Sequence, residues 1–180
     1  DLSTVSYDSV SFSVAGQDAT PRDIAFNTGG SKMYMVGNSN DSVHQYSLST
    51  AFDLSTASYD SVSFSVAGQD TIPVGIAFNT NGTKMYMVGA ANDSVYQYSL
   101  STAYDLSTAS YDSVSFSVAG QDTQPYGMAF STDGSKMYMV GVSNDSVYEY
   151  STATPATITY NSALKWPSGT APTSPAIGET

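Results

Sequence analysis

This chain has no cysteine at all, one histidine, five basic residues and, in 180 positions, only 12% charged side chains. Without cysteine there is neither a disulfide framework nor a thiolate metal site. The five bases, Arg22, Lys32, Lys84, Lys136 and Lys165, are scattered, and the net charge is −11. Nucleic-acid binding needs a clustered basic footprint, so that class of partner is excluded, as is insertion at an anionic membrane surface. No apolar run reaches the roughly 18 residues of a membrane-spanning helix. Catalytic chemistry is thinly supplied. The lone His44 is replaced by tyrosine at 96 and 148 in equivalent contexts, and the only glutamates are Glu149 and Glu179. No Gly-x-Ser-x-Gly elbow, Walker loop or dinucleotide glycine pattern occurs. The expectation from this inventory is that the chain is not an enzyme and that His44 packs rather than ligates.

What is present is repetition. "DLSTVSYDSVSFSVAGQD" begins at Asp1 and recurs, with Ala for Val5, at Asp53 and Asp105, a period of 52 residues. "KMYMVG" recurs at Lys32, Lys84 and Lys136. A fixed period of this size marks a solenoid, a propeller or a tandem array. The copies span 1–52, 53–104 and 105–150, and the pattern decays after Tyr150. Residues 151–180 are expected to form a linker and the start of a further small β domain. The abrupt ends suggest a piece of a longer polypeptide.

Each copy holds four short runs with period-two alternation and β-branched or aromatic residues, the signal of strands. In the second copy these are 61–66, 75–78, 84–88 and 94–99. "NTNGTK", "NTGGSK" and "STDGSK" join the second and third runs, and Asn-Gly, Gly-Gly and Asp-Gly suit a tight hairpin. In "KMYMV", Met85 and Met87 point one way and Tyr86 and Val88 the other. Both faces are apolar, so both need cover. "SVSFSV" alternates serine with Val62, Phe64 and Val66, the half-wet pattern of an outer-edge strand. Four antiparallel strands in about 40–50 residues make one propeller blade. The expected fold class is therefore all-β: a β-propeller-like array of three four-stranded antiparallel blades, part of a longer propeller or completed by other chains. A β-prism, a solenoid and a trimeric fibre shaft are the competing β architectures.

"PVGIAFNTNGTKMYMVG" and "PYGMAFSTDGSKMYMVG", each followed by "NDSVY", resemble the YVTN-like blade repeats of β-propellers. The resemblance implies "GIAF" as innermost strand, "KMYMV" next, "SVYQYS" third, and "SVSFSV" of the following copy outermost. The segment "ITYNSALKWPSGTAPTSPAIGET", 158–180, resembles a bacteriophage tail-fibre motif of "KWPGGTAPT" type, with Ser168 where that motif has glycine.

The repeated carboxylates Asp18, Asp70 and Asp122, and Asp41, Asp93 and Asp145, are expected to cap their own turns. No cofactor is expected, although calcium is the alternative that such a carboxylate set leaves open. Across the first 47 positions of the copies, only four carry three different residues. Gly29/Asn81/Asp133 reflects tolerant hairpin chemistry. The others are Thr20/Ile72/Gln124, Arg22/Val74/Tyr126 and Asn38/Ala90/Val142. In a propeller the links that hold them emerge at one end of the disc. These nine residues form a candidate ligand-binding rim. The functional expectation is a virion or cell-surface structural or adhesion protein, a tail-fibre-type segment recognising host-surface glycan beside other virion or filament subunits. The alternative is a purely architectural spacer or decoration module without a ligand.

Overall fold

The computed structural model of the chain describes residues 2–152. The further domain and the tail-fibre motif expected beyond residue 152 lie outside the described residues.

Among the described residues there are eleven strands and three single turns of 3-10 helix. Strands β1 (Pro21–Phe26), β2 (Lys32–Gly37), β3 (Ser42–Leu48) and β4 (Ala57–Ser65) form the first antiparallel sheet, in that spatial order. Strands β5 (Pro73–Phe78), β6 (Lys84–Gly89), β7 (Ser94–Leu100) and β8 (Ala109–Ser117) repeat it. The third sheet contains β9 (Pro125–Phe130), β10 (Lys136–Gly141) and β11 (Ser146–Ser151). Each four-stranded blade thus takes its outer strand from the following repeat, as the "SVSFSV" reading expects.

The faces of "KMYMV" behave as their alternation requires. Met85 and Met87 are buried in a core shared with Tyr34, Val36 and Val43 of the first blade. Val88, with Tyr86 beside it, packs in a second core with Met137 and Met139 of the third blade. Burying both faces of one sheet stacks the blades. Aromatic pairs bridge the stack, with Tyr34 over Phe78 and Tyr86 over Phe130, both at 4.4 Å between ring centroids.

The outer strand is longer than its sequence pattern indicates, starting at Ala57 rather than Ser61. The register shifts between Gln45, opposite Val62, and Tyr46, opposite Tyr59, so Asp60 and Ser61 leave the ladder as a bulge. Ser61 is left-handed there, at φ 58°. The bulge aims Asp60 across the sheet, where Lys32 Nζ reaches its carboxylate at 2.6 Å and Gln45 Nε2 at 2.8 Å. The second blade repeats the arrangement with Lys84, Gln97 and Asp112.

The 3-10 turn Leu106–Thr108, capped by Asp105, carries a plug between blades. Leu106 is 1% exposed, and its N–H donates to Gln45 Oε1 of the first blade at 2.8 Å.

Candidate recognition rim

One end of the blades is built around a buried aspartate. Asp18 is 2% exposed and lies just before the innermost strand. Its carboxylate accepts from Thr20 N at 2.7 Å, from Ser39 N at 3.1 and 3.2 Å, and from Asn40 N at 2.9 Å. Asp70 accepts from Ile72 N at 2.8 Å, Ala91 N at 3.1 Å and Asn92 N at 2.9 Å. Asp122 does the same with Gln124 N, Ser143 N and Asn144 N. Burial alone would raise Asp18 and Asp122. At Asp18 and Asp122 the backbone N–H donors outweigh it and hold the carboxyl below its ordinary value.

This aspartate does more than cap its own turn. It ties the link before the inner strand to the hairpin between the second and third strands. The approach is so close that a Cβ on Gly37, Gly89 or Gly141 would stand 2.1–2.2 Å from the facing carboxyl carbon. That explains the glycine closing every "KMYMVG". Asn40, Asn92 and Asn144 add a side-chain donor to the carbonyls of Gln17, Gln69 and Gln121.

The frame brings six of the nine candidate residues together in pairs. Asn38 N donates to Thr20 O at 3.0 Å, Ala90 N to Ile72 O at 2.9 Å, and Val142 N to Gln124 O at 3.0 Å. Thr20, Ile72, Gln124 and Val142 are exposed, while Asn38 and Ala90 are half-buried. The remaining three stand in different surroundings. Arg22 is exposed and Tyr126 is 56% exposed, but Val74 is 6% exposed and packs in the core between the second and third blades. Val74 offers no surface to a ligand. A blade follows the second sheet and covers that position, and sequence variation alone does not reveal such cover.

Asp41, Asp93 and Asp145 occupy left-handed turn positions, at φ 47°, 46° and 49°. The Oδ1 atoms of Asp41 and Asp93 are buried without a hydrogen-bond partner. Burial, then the neighbouring charges of Asp18 and Asp70, push Asp41 up; burial, then Asp70 and Asp122, push Asp93 up. Among the described residues no three of these acids or His44 are grouped to hold a metal ion. His44 is 5% exposed and stacks edge-on to Tyr59 at 6.0 Å. Burial pushes its pKa down.

Two features escaped the sequence reading. Asp23 on the first inner strand accepts from Ile76 N on the second at 3.0 Å. The copies have glycine there, and a Cβ on Gly75 would stand 2.9 Å from Val88 Cγ1 and 3.5 Å from the Cα of Gly127 on the third inner strand. The signal was the Asp/Gly/Gly variation itself. The other is an aromatic cavity of about 590 Å³ between the second and third blades, lined by Tyr86, Gln97, Phe116, Phe130, Glu149 and Tyr150. Gln97 in its wall is the counterpart of the Gln45 that holds Leu106 one blade earlier.

No family model and no curated protein matches the chain. Solved structures do match. A candidate 6-phosphogluconolactonase from Bacteroides uniformis aligns over 75% of this chain and 38% of its own, at TM-score 0.58 and 14% identity. The periplasmic gluconolactonase of Pseudomonas aeruginosa aligns over 73% and 35%, at 0.54 and 15%. The β-propeller domain of Cps50 (Swd1) from Myceliophteria thermophila aligns over 72% and 39%, at 0.50 and 10%. The fold is that of a β-propeller. The chain spans between a third and two-fifths of the length of these proteins.

These matches correct the expectation that the chain is not an enzyme. Lactonase-type proteins are built on the same blades, so a side-chain inventory poor in histidine and glutamate does not exclude catalysis by this fold. At 10–15% identity the likeness shows the fold and assigns no activity.

Proposed function

We propose that the chain is a recognition module, displaying the loop end of its blades to a glycan-bearing host surface from a virion or cell-surface appendage. The observation that supports this is the pairing at the rim. The pairs 20/38, 72/90 and 124/142 differ in every blade, yet the aspartate, glycine and asparagine that hold them do not. Constant backbone carrying changeable tips is what a recognition surface requires. Tyr126 provides an open aromatic face on which a sugar ring can stack. Thr20, with its hydroxyl 2.5 Å from Ser39 Oγ, and Gln124 supply hydrogen-bonding groups for sugar hydroxyls. The tail-fibre-like segment at 158–180 supports the appendage setting.

The test is glycan-array binding by the chain and by an Arg22→Ala/Tyr126→Ala variant, which leaves the buried Val74 in place. Loss of at least about tenfold in signal is expected, the size of an interface hot spot. Binding that the variant retains in full refutes the rim as the contact surface. The propeller matches bring a second reading, lactone hydrolysis. Acid release from gluconolactone, followed by pH-stat titration of the same preparation, decides it.

A further inference from the structure

Residues 5–13 read VSYDSVSFS, and both β4 and β8 read ASYDSVSFS. Yet 5–13 pair with no strand among the described residues. They are nevertheless arranged as those strands are. Ser9 is left-handed at φ 59°, matching Ser61 at 58° and Ser113 at 59° in the two bulges. Phe12 meets Tyr46 at 5.6 Å and 82°, as Phe64 meets Tyr98 at 5.5 Å and 81°. Gln17 N and Asp18 N donate to Val14 O at 2.9 and 3.0 Å, the same as Gln69 N and Asp70 N to Val66 O. The segment stands against the first blade where the outer strand of a preceding blade would stand, with no such blade among the described residues.

The opposite end shows the complementary lack. Among the described residues β11 has β10 on one side and no strand on the other. Val147 on β11 is 71% exposed, against 0% for Val43 and 6% for Val95. Val140 is 42% exposed, against 0% for Val36 and Val88. On the first blade Ile24 is 54% exposed where Ile76 is 4%.

We propose that a second copy of this chain supplies what each end lacks. Residues 6–13 of one copy pair antiparallel with β11 of the other, and the third blade of one copy stacks on the first blade of the other. The two ladders within the chain give the register: Ser13 opposite Ser146, Phe12 opposite Val147, Ser11 opposite Tyr148 and Tyr7 opposite Tyr150. Val14 N then donates to Asp145 O, as Val66 N does to Asp41 O and Val118 N to Asp93 O, both at 2.8 Å. The contact is continuous with one the chain already makes twice, blade face on blade face. Two copies of three blades give six, within the four to eight of closed propellers. A head-to-tail contact that closes in this way makes a ring rather than a filament.

One residue opposes the pairing. Glu149 replaces the glutamine that donates to Asp60 at 2.8 Å in the first blade and to Asp112 at 2.7 Å in the second. In the pair of copies, Glu149 and Asp8 share the single Lys136. Glu149→Gln removes the like-charge contact and tightens association by up to about fivefold.

The experiment is sedimentation velocity on the 180-residue chain, with Val147→Lys and Ser13→Cys/Ser146→Cys variants. Expected are a dimer at about 10 µM, association weakened by the lysine by at least about tenfold in affinity, and a disulfide-linked dimer of the cysteine variant under mild oxidation. Unchanged circular dichroism shows that Val147→Lys still folds. A monomer at every concentration up to about 100 µM overturns the proposal, whether or not residues 153–180 take the β11 edge instead. An open polymer overturns it, as does a dimer indifferent to Val147→Lys or one that does not cross-link.

Discussion

The close approach of Gly89 to Asp70 gives a double-mutant cycle with a definite sign. Asp70→Ala removes the acceptor of three backbone N–H groups, at 2.8, 3.1 and 2.9 Å, from a site that is 1% exposed. With about 1 kcal/mol for each donor left partly to water, the cost is about 2–4 kcal/mol. Gly89→Ala places a methyl 2.1 Å from the Asp70 carboxyl carbon. The carboxylate must leave its position and its three donors with it, so overpacking costs about 2–4 kcal/mol. The two losses are largely the same loss. With Asp70 already alanine, the methyl at 89 enters vacated space, and the double variant is less destabilised than the sum by about 1–3 kcal/mol. Urea unfolding followed by circular dichroism measures all four corners. Each single loss is a large part of a usual 5–15 kcal/mol total. Additivity within about 0.5 kcal/mol, or a Gly89→Ala variant as stable as the parent, refutes the account of the rim.

Leu106→Ala empties the plug between the first two blades and costs about 2–5 kcal/mol. Leu54→Ala, at the half-buried counterpart one repeat earlier, costs less in the same urea titration. Asp93 and Asp18 respond to pH with opposite signs. The folded state raises Asp93, by burial first and then by Asp70 and Asp122, so its charged form lowers stability above that pKa. Asp93→Asn therefore raises the melting temperature at pH 7, and the difference from the parent closes towards pH 3; asparagine tolerates the left-handed φ. The folded state lowers Asp18, so its stabilisation is present above the ordinary value of 3.8 and is lost as pH falls through the folded pKa. Asp18→Asn accordingly lowers the melting temperature most at neutral pH.

Much of this fold could be read from period-two alternation. Met85 and Met87 against Tyr86 and Val88 announce a sheet covered on both faces, and the serines of "SVSFSV" announce its wet edge. The start of the outer strand was hidden because the Asp60–Ser61 bulge interrupts the pattern without ending the sheet. At the rim, topology alone brought the links 20/38, 72/90 and 124/142 to one end. Burial at 22/74/126 was not legible, because it depends on contacts between blades: Val74 packs against the third blade, whereas Tyr126 is open and Arg22 is exposed even with the second blade beside it. The reach of Asp18 to Ser39 and Asn40, some twenty positions away, likewise has no local signature. Excluding an enzyme failed for a different reason. It counted residue types, whereas the matched propellers show that the blade scaffold serves lactonase-type proteins.

The rim also shows why its tips can change at little cost to the blade. Asp70 is satisfied by the backbone N–H groups of 72, 91 and 92, and the link between 72 and 90 is again backbone to backbone. No side chain at 72 or 90 takes part in either contact. The backbone contacts that hold the frame thus form with threonine, isoleucine or glutamine at the first position and asparagine, alanine or valine at the second; in the first blade the Thr20 hydroxyl adds a long contact to Asp18 at 3.4 Å. The freedom has a limit at Asn38, whose Oδ1 is buried without a partner. A polar side chain at that half-buried position is a cost to stability that Ala90 and Val142 do not carry.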